Sequence, residues 1–175
     1  MSSTTAGLFI EYSIFYLIDP DDQDCPVYTG NFPTPDVTGL IAVAPNFAAI
    51  TCGVYIGEIV VSVEIWNEPA KIELDSWDDV AEASTTWRAS QVQVSGAAVD
   101  EPKDLRVSLP RSENGSFRIR AAVRNRDAGE DRTSADPVEE HLIQIWAAPP
   151  APQHLTKSSD RVGAVWRRRA NQPPA

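Results

Sequence analysis

Hydrophobic positions along the chain fall in short runs, each soon stopped by Pro, Gly, Asp or Asn. Two of these runs alternate cleanly. Residues 58–66, EIVVSVEIW, put Ile59, Val61, Val63 and Ile65 on one face and Glu58, Ser62 and Glu64 on the other. Residues 116–126, SFRIRAAVRNR, put Phe117, Ile119, Ala121 and Val123 inward and Arg118, Arg120, Arg124 and Arg126 outward. Successive side chains of a strand point to opposite faces, so each run predicts a strand packed on one side and wet on the other. Glu113-Asn114-Gly115, just before the second run, signals a turn because Asn-Gly adopts positive φ at little cost.

Further strands are expected at residues 8–18, 37–43, 47–56 and 138–147, with shorter ones at 71–74, 79–87, 90–94 and 104–109. They are rich in the β-branched and aromatic residues that suit a pleated surface. Asp19-Pro20-Asp21-Asp22, Pro45-Asn46 and Pro149-Pro150 punctuate them. Only residues 160–169, DRVGAVWRRR, read as a helix, with Asp160 as its N-cap and three arginines at its negative C-terminal end. Closely spaced strands without a long helical period predict an all-β fold, an antiparallel two-sheet β-sandwich of jelly-roll-like form. Prolines at 149, 150 and 152 cannot donate ladder hydrogen bonds. The sandwich is therefore expected over residues 1–148. Residues 149–175 are expected as a Pro-rich extended tail with at most one short helix, dispensable for folding.

Charge changes the picture. The 175 residues suit one domain, and 15 bases against 25 acids leave a net charge of −10. Nucleic acid and anionic membranes require a positive footprint, so direct nucleic-acid binding is not expected. The acids are unevenly placed: residues 1–87 hold 14 of them and a single base, Lys71, for a net of −13. The apolar run at 8–18 falls short of the ~20 residues that span a bilayer, and no basic segment precedes it. No membrane association and a cytoplasmic location are expected. Cys25 and Cys52 are the only cysteines, lie in no CxxC motif, and are expected as free thiols.

Candidate chemistry is sparse. No GxGxxG, GxxxxGK[ST] or GxSxG motif occurs. Glu139 and His141 sit two apart on one strand face and read first as a surface pair beside a sheet edge, although such a pair can hold a metal or move a proton. Asp19 to Asp24, DPDDQD, lacks the Gly and the flanking helices of an EF-hand and reads as a solvated turn or a weak cation site. Asp75, Asp78 and Asp79 surround Trp77, an aromatic anchor within a charged rim as in protein-recognition patches, unless that Trp is core. The partner-binding candidates are Asp21, Asp22, Asp24, Asp75, Trp77, Asp78 and Asp79. No catalytic residue, cofactor or metal is expected.

An opening LFIEYSIFYL, an Ala/Gly-rich middle, VVSVEIW and SWDDVAEAS are followed by the SLP segment at 108–110, SFRIRAAVRNRD and a strand ending in IQIW. In order and strand character these segments resemble the ComJ family across residues 8–147. Its members are small acidic inhibitors of a competence-associated DNA-entry nuclease. The resemblance implies a compact β-sandwich that binds and blocks a basic partner. Residues 127–137 and the tail depart from the family pattern. The expected function is a non-enzymatic acidic protein-binding module, of inhibitor or immunity type, that masks a basic protein. The alternative is a structural β-sandwich subunit of an oligomer or phage-like particle.

Overall fold

The alternating strands line the inside of one continuous, curled sheet. The computed structural model describes residues 1–19, 21–22, 24–96, 102–129 and 138–170, with Tyr28 and Ala170 described by backbone only. The departures noted at 130–137 and the last five residues lie outside these. The strands are β1 (Ser2–Glu11), β2 (Ile14–Ile18), β3 (Ile41–Ala44), β4 (Phe47–Thr51), β5 (Ile56–Trp66) and β6 (Asp79–Thr86). They continue as β7 (Gln91–Ser95), β8 (Arg106–Ser108), β9 (Ser116–Arg124), β10 (Glu140–Ala147) and β11 (His154–Lys157). Two single helical turns, α1 (Pro26–Thr29) and α2 (Arg126–Gly129), accompany a longer helix, α3 (Arg161–Ala170).

The strand order is β11-β6-β9-β10-β5-β1-β2-β4-β3, with β7 joining β2 and carrying β8. Among the described residues all pairings are antiparallel except β5 with β10, which is parallel. The sheet curls until the β3–β4 turn meets β6. The Asn46 N–H donates to the Thr86 carbonyl (2.8 Å), and Thr85 Oγ1 donates to the Ala44 carbonyl (2.6 Å). This is a mostly β, half-barrel architecture, a single sheet where two packed sheets were expected. Ile59, Val61, Val63, Ile65, Phe117, Ile119 and Val123 are all buried in its core, as the alternation requires.

Three local readings change. The run at 8–18 is two strands, because Tyr12 (φ +62°) and Ser13 (φ +57°) form a two-residue left-handed turn where no Gly or Asn marks one. Residues 71–74 form no strand. Arg126, expected outward at the end of β9, is fully buried. The physical reason is Asn125, whose φ of +62° breaks the period of two after Arg124 and swings the next residue inward.

The buried guanidinium organises one end of the half-barrel. Arg126 Nε and Nη2 donate to Asp160 (2.6 and 2.7 Å), Nη2 also to Asp79 (3.2 Å), and Nη1 to the Gly39 carbonyl and Thr51 Oγ1 (3.0 and 2.8 Å). Gly53 is required beside it, because a Cβ there would collide with the Arg126 carbonyl oxygen. Asp160 caps α3 by accepting from the Gly163 N–H (2.7 Å), and Asp127 accepts from the Arg161 and Val162 N–H groups (2.9 and 3.1 Å). The otherwise orphan donors of the first helical turn are thereby satisfied. Past residue 148 the chain runs irregularly to Gln153, as its prolines suggest, then re-enters the body. There β11 pairs with β6, and Val162 of α3 is buried.

The outer face of the central strands is also covered. Glu82, Arg120, Gln144 and Glu64 occupy one register row across β6, β9, β10 and β5. Arg118 and Arg120 both donate to Glu82 (2.9 and 2.7 Å), Arg120 donates to Gln144 (2.9 Å), and Gln144 donates to Glu64 (2.7 Å). The arginines do face outward as predicted, but Arg118 is closed over by the chain at Ala151 and Pro152, whose carbonyls it binds.

Candidate functional site

The acidic loop after β2 is built from its own side chains. Asp19 Oδ1 accepts from the Asp21 N–H, and Asp22 Oδ1 accepts from the Asp24 N–H (both 3.0 Å), the local bonds that make Asp a turn residue. Asp21 and Asp24 remain exposed, whereas Asp22 is half-buried and accepts from Asn46 Nδ2 (3.0 Å). Just beyond, burial pushes the Cys25 thiol upward, and Asp22 and Asp19 add to the shift.

The second acidic group is divided by the fold. Asp75 is exposed, on a short 3-10 turn. Trp77 is half-buried with the Arg124 guanidinium over its ring (5.4 Å), and Asp78 accepts from the Asn125 N–H (2.8 Å). Asp79, the last of the partner-binding candidates, is wholly buried. It opens β6 opposite Val123, on the inward face, where it meets Arg126, Arg167 and the Ser159 and Asp160 N–H groups. Burial, then the neighbouring Asp160 charge, raises its carboxyl above the ordinary range.

The two acidic groups are not brought together. Asp78 adjoins the start of β6, while Asp22 reaches the far end of that strand through Asn46. Eight residues at ~3.3 Å each separate those ends by about 25 Å.

A third feature went unread in the sequence. At the β1–β2 turn, Tyr12 (68% exposed) and Tyr55 (63%) meet edge to face at 5.8 Å. Exposed Ile56 lies opposite Glu11, and exposed Phe9 lies opposite Glu58, so all four project from one face of the β1–β5 ladder. The strained turn is held by Ser13, whose N–H donates to the Tyr55 carbonyl (3.2 Å) and whose carbonyl accepts from the Cys52 N–H (2.8 Å). An apolar surface with acids beside it has the make-up of an interface.

Glu139 and His141 lie in the interior rather than beside an exposed sheet edge. His141 Nε2 and Glu139 Oε1 are 2.7 Å apart, and the imidazole stacks edge to face on Phe15 (5.0 Å). Glu139 accepts from the Gly53 and Val54 N–H groups (3.1 and 3.0 Å). The Cys52 thiol is pushed well up, by burial first and then by the Glu139 charge. Both Cys25 and Cys52 are free and buried. Among the described residues no helix is long and apolar enough to cross a membrane.

A half-barrel with these features defines a fold class with solved representatives, although neither a family model nor a curated protein matches the sequence. One similar structure is titled "Crocagin biosynthetic gene J": 17% identity, TM-score 0.54, covering 85% of this chain and 100% of that one. Another is ComJ of Bacillus subtilis, titled as inhibitor of the DNA-degrading activity of NucA: 12% identity, TM-score 0.54, covering 84% and 98%. The chain therefore has a ComJ-like fold, as its sequence resemblance implied.

Proposed function

We propose that this chain is a non-catalytic protein-binding module of inhibitor type that masks a basic partner. The observation that carries the reading is the fold likeness to ComJ over nearly all of that inhibitor's length. The surface chemistry agrees with it. A body with net charge −10 exposes Asp21, Asp24 and Asp75, with Asp22 and Asp78 partly exposed, and adds Phe9 and Ile56 on one ladder face and the adjoining Tyr12–Tyr55 pair as apolar anchors. Aromatic anchors supply affinity, and acids around them speed encounter with a positively charged protein while disfavouring nucleic acid. Two unpaired, buried cysteines suit a reducing compartment, and we assign the protein to the cytoplasm.

The test uses a basic nuclease enriched from the source cells on a cation exchanger. Adding the protein should inhibit DNA cleavage with one-to-one stoichiometry, and salt should weaken the block as the screening length falls from ~10 Å at 0.1 M to ~3 Å at 1 M. Undiminished cleavage at every protein ratio and every salt concentration would overturn the proposal.

A further inference from the structure

We propose that Cys52, Glu139 and His141 form a buried site for a divalent transition-metal ion of the zinc class. The residues come from two segments: Cys52 directly follows β4, and Glu139 and His141 stand two apart at the start of β10. Their exposures are 1%, 0% and 1%, and one ligand atom from each lies within 4.8 Å of the other two. Tetrahedral zinc, with sulfur, nitrogen and oxygen at ~2.0–2.3 Å, sets its ligands roughly 3.3–3.7 Å apart. The Glu139–His141 hydrogen bond at 2.7 Å must open by under about 1 Å to reach that spacing, and the remaining separations, none above 4.8 Å, must close by at most about 1.5 Å.

The donors are already oriented by backbone. Glu139 is fixed by the Gly53 and Val54 N–H groups, Cys52 by its N–H bond to Ser13, and His141 by ladders to β5 and β9 on either side. Such outer contacts are what hold a metal site in shape. A thiolate, a carboxylate and a neutral imidazole cancel the charge of a divalent ion, which suits a site removed from water. His141 Nδ1 is buried with no hydrogen-bond partner, a state folds ordinarily avoid. Nothing therefore fixes the ring's tautomer except the bond to Glu139. On binding, the thiol proton leaves to solvent, the Nε2 proton passes to Nδ1, and Nε2 takes the metal. One proton is released per ion, and the cluster's charge goes from that of the lone carboxylate to zero. This inference stands apart from the protein-binding proposal, since none of the three residues is at the surface.

Cobalt(II) is the probe, added to purified, reduced, metal-stripped protein. The expected result is one ion per chain, with the near-UV charge-transfer band of a cobalt–thiolate bond and the visible bands of a tetrahedral ion, and displacement by zinc. Cys52→Ser should remove the charge-transfer band, and His141→Gln should weaken affinity at least about tenfold. Cys25→Ser should leave the spectrum as it is. Zinc should also raise the wild-type melting midpoint in proportion to the logarithm of its concentration, a readout that no variant's folding can confound. Wild-type protein that shows neither a saturable cobalt spectrum nor a zinc-dependent midpoint overturns the proposal. A charge-transfer band lost with Cys25 instead of Cys52 does so too.

Discussion

Replacing Asp160 by Ala tests the buried charge network where it is most connected. The substitution strips Arg126 of its bonds at 2.6 and 2.7 Å and leaves the guanidinium with Asp79, at 3.2 Å, as its remaining charged partner. Breaking a buried pair by removing one partner costs about 3–5 kcal/mol, because the remaining charge stays buried without full compensation. Losing the cap on Gly163 adds about 1 kcal/mol. Relief of the repulsion between Asp160 and Asp79, one cause of the raised Asp79 carboxyl, offsets part of this. The net is about 3–5 kcal/mol, and at about 2–4 °C per kcal/mol for a domain of this size the midpoint should fall by about 6–20 °C. Thermal and urea unfolding followed by circular dichroism would measure it. Arg161→Ala is the control, since that side chain is 71% exposed on its pair with Asp127 and should change stability by less than about 1 kcal/mol. An Asp160→Ala midpoint within about 2 °C of wild type would refute the reasoning, because a shift so small is typical of exposed pairs.

Val61→Asp puts a charge at a fully buried position with no partner, and should destabilise by several kcal/mol; an unchanged melting midpoint would mean the β5 face is assigned backwards. Removing residues 149–175 uncovers the β6 edge and deletes Asp160, so the truncated chain should lose cooperative unfolding, contrary to the expectation from its prolines; a retained midpoint would show β11 and α3 to be marginal. Burial alone would raise the Glu82 carboxyl, but hydrogen bonds from Arg118 and Arg120 hold it below its usual value, so its contribution is full above about pH 4.5 and lost as pH falls through the depressed value. Glu82→Gln should therefore flatten the acid limb of urea stability against pH, and an unaltered limb would count against that bridge. Asp79 works in the other sense: its raised carboxyl makes its contribution weaken as pH rises from the ordinary Asp value through the raised one.

Much of the fold was legible because period-two alternation is dictated by the pleat. β5 and β9 stand within two residues of their expected limits, β10 also, and α3 begins where Asp160 was read as its cap. What was illegible depended on single backbone angles or on distant pairing. Tyr12 carries no turn chemistry and Ser13 only a weak one, and neither is a Gly or Asn that favours positive φ, so their hairpin was invisible in a run of strand-forming residues. The parallel pairing of β5 with β10 requires the chain to leave and return, and no local pattern records that. Asn125 did offer a signal, because Asn tolerates the left-handed region better than other non-glycine residues. Reading the alternation through it placed Arg126 on the wrong side.

The candidate site shows the same division between composition and parity. Asp78 and Asp79 are identical in charge and adjacent in sequence, yet one is half-exposed and the other buried. Composition treats them alike, but strand parity does not. With β6 beginning at Asp79, the inward set is Asp79, Ala81, Ala83 and Thr85, and the outward set includes Glu82 and Ser84. An acid at an inward position implies a buried cation to compensate it, since a lone carboxylate in the core is too costly to persist. Arg126 and Arg167 supply that compensation, and both belong to the half of the chain with the basic excess. Part of the charge asymmetry between the halves is therefore spent inside the fold, on Asp79 with Arg126 and Glu82 with Arg118 and Arg120. The candidate acids left at the surface, Asp21, Asp22 and Asp24 in one group and Asp75 and Asp78 in the other, lie at opposite ends of β6, so a partner that reads them must span both ends or choose one. The aromatic β1–β2 face, which combines exposed rings with nearby acids, is the better anchor for such a choice.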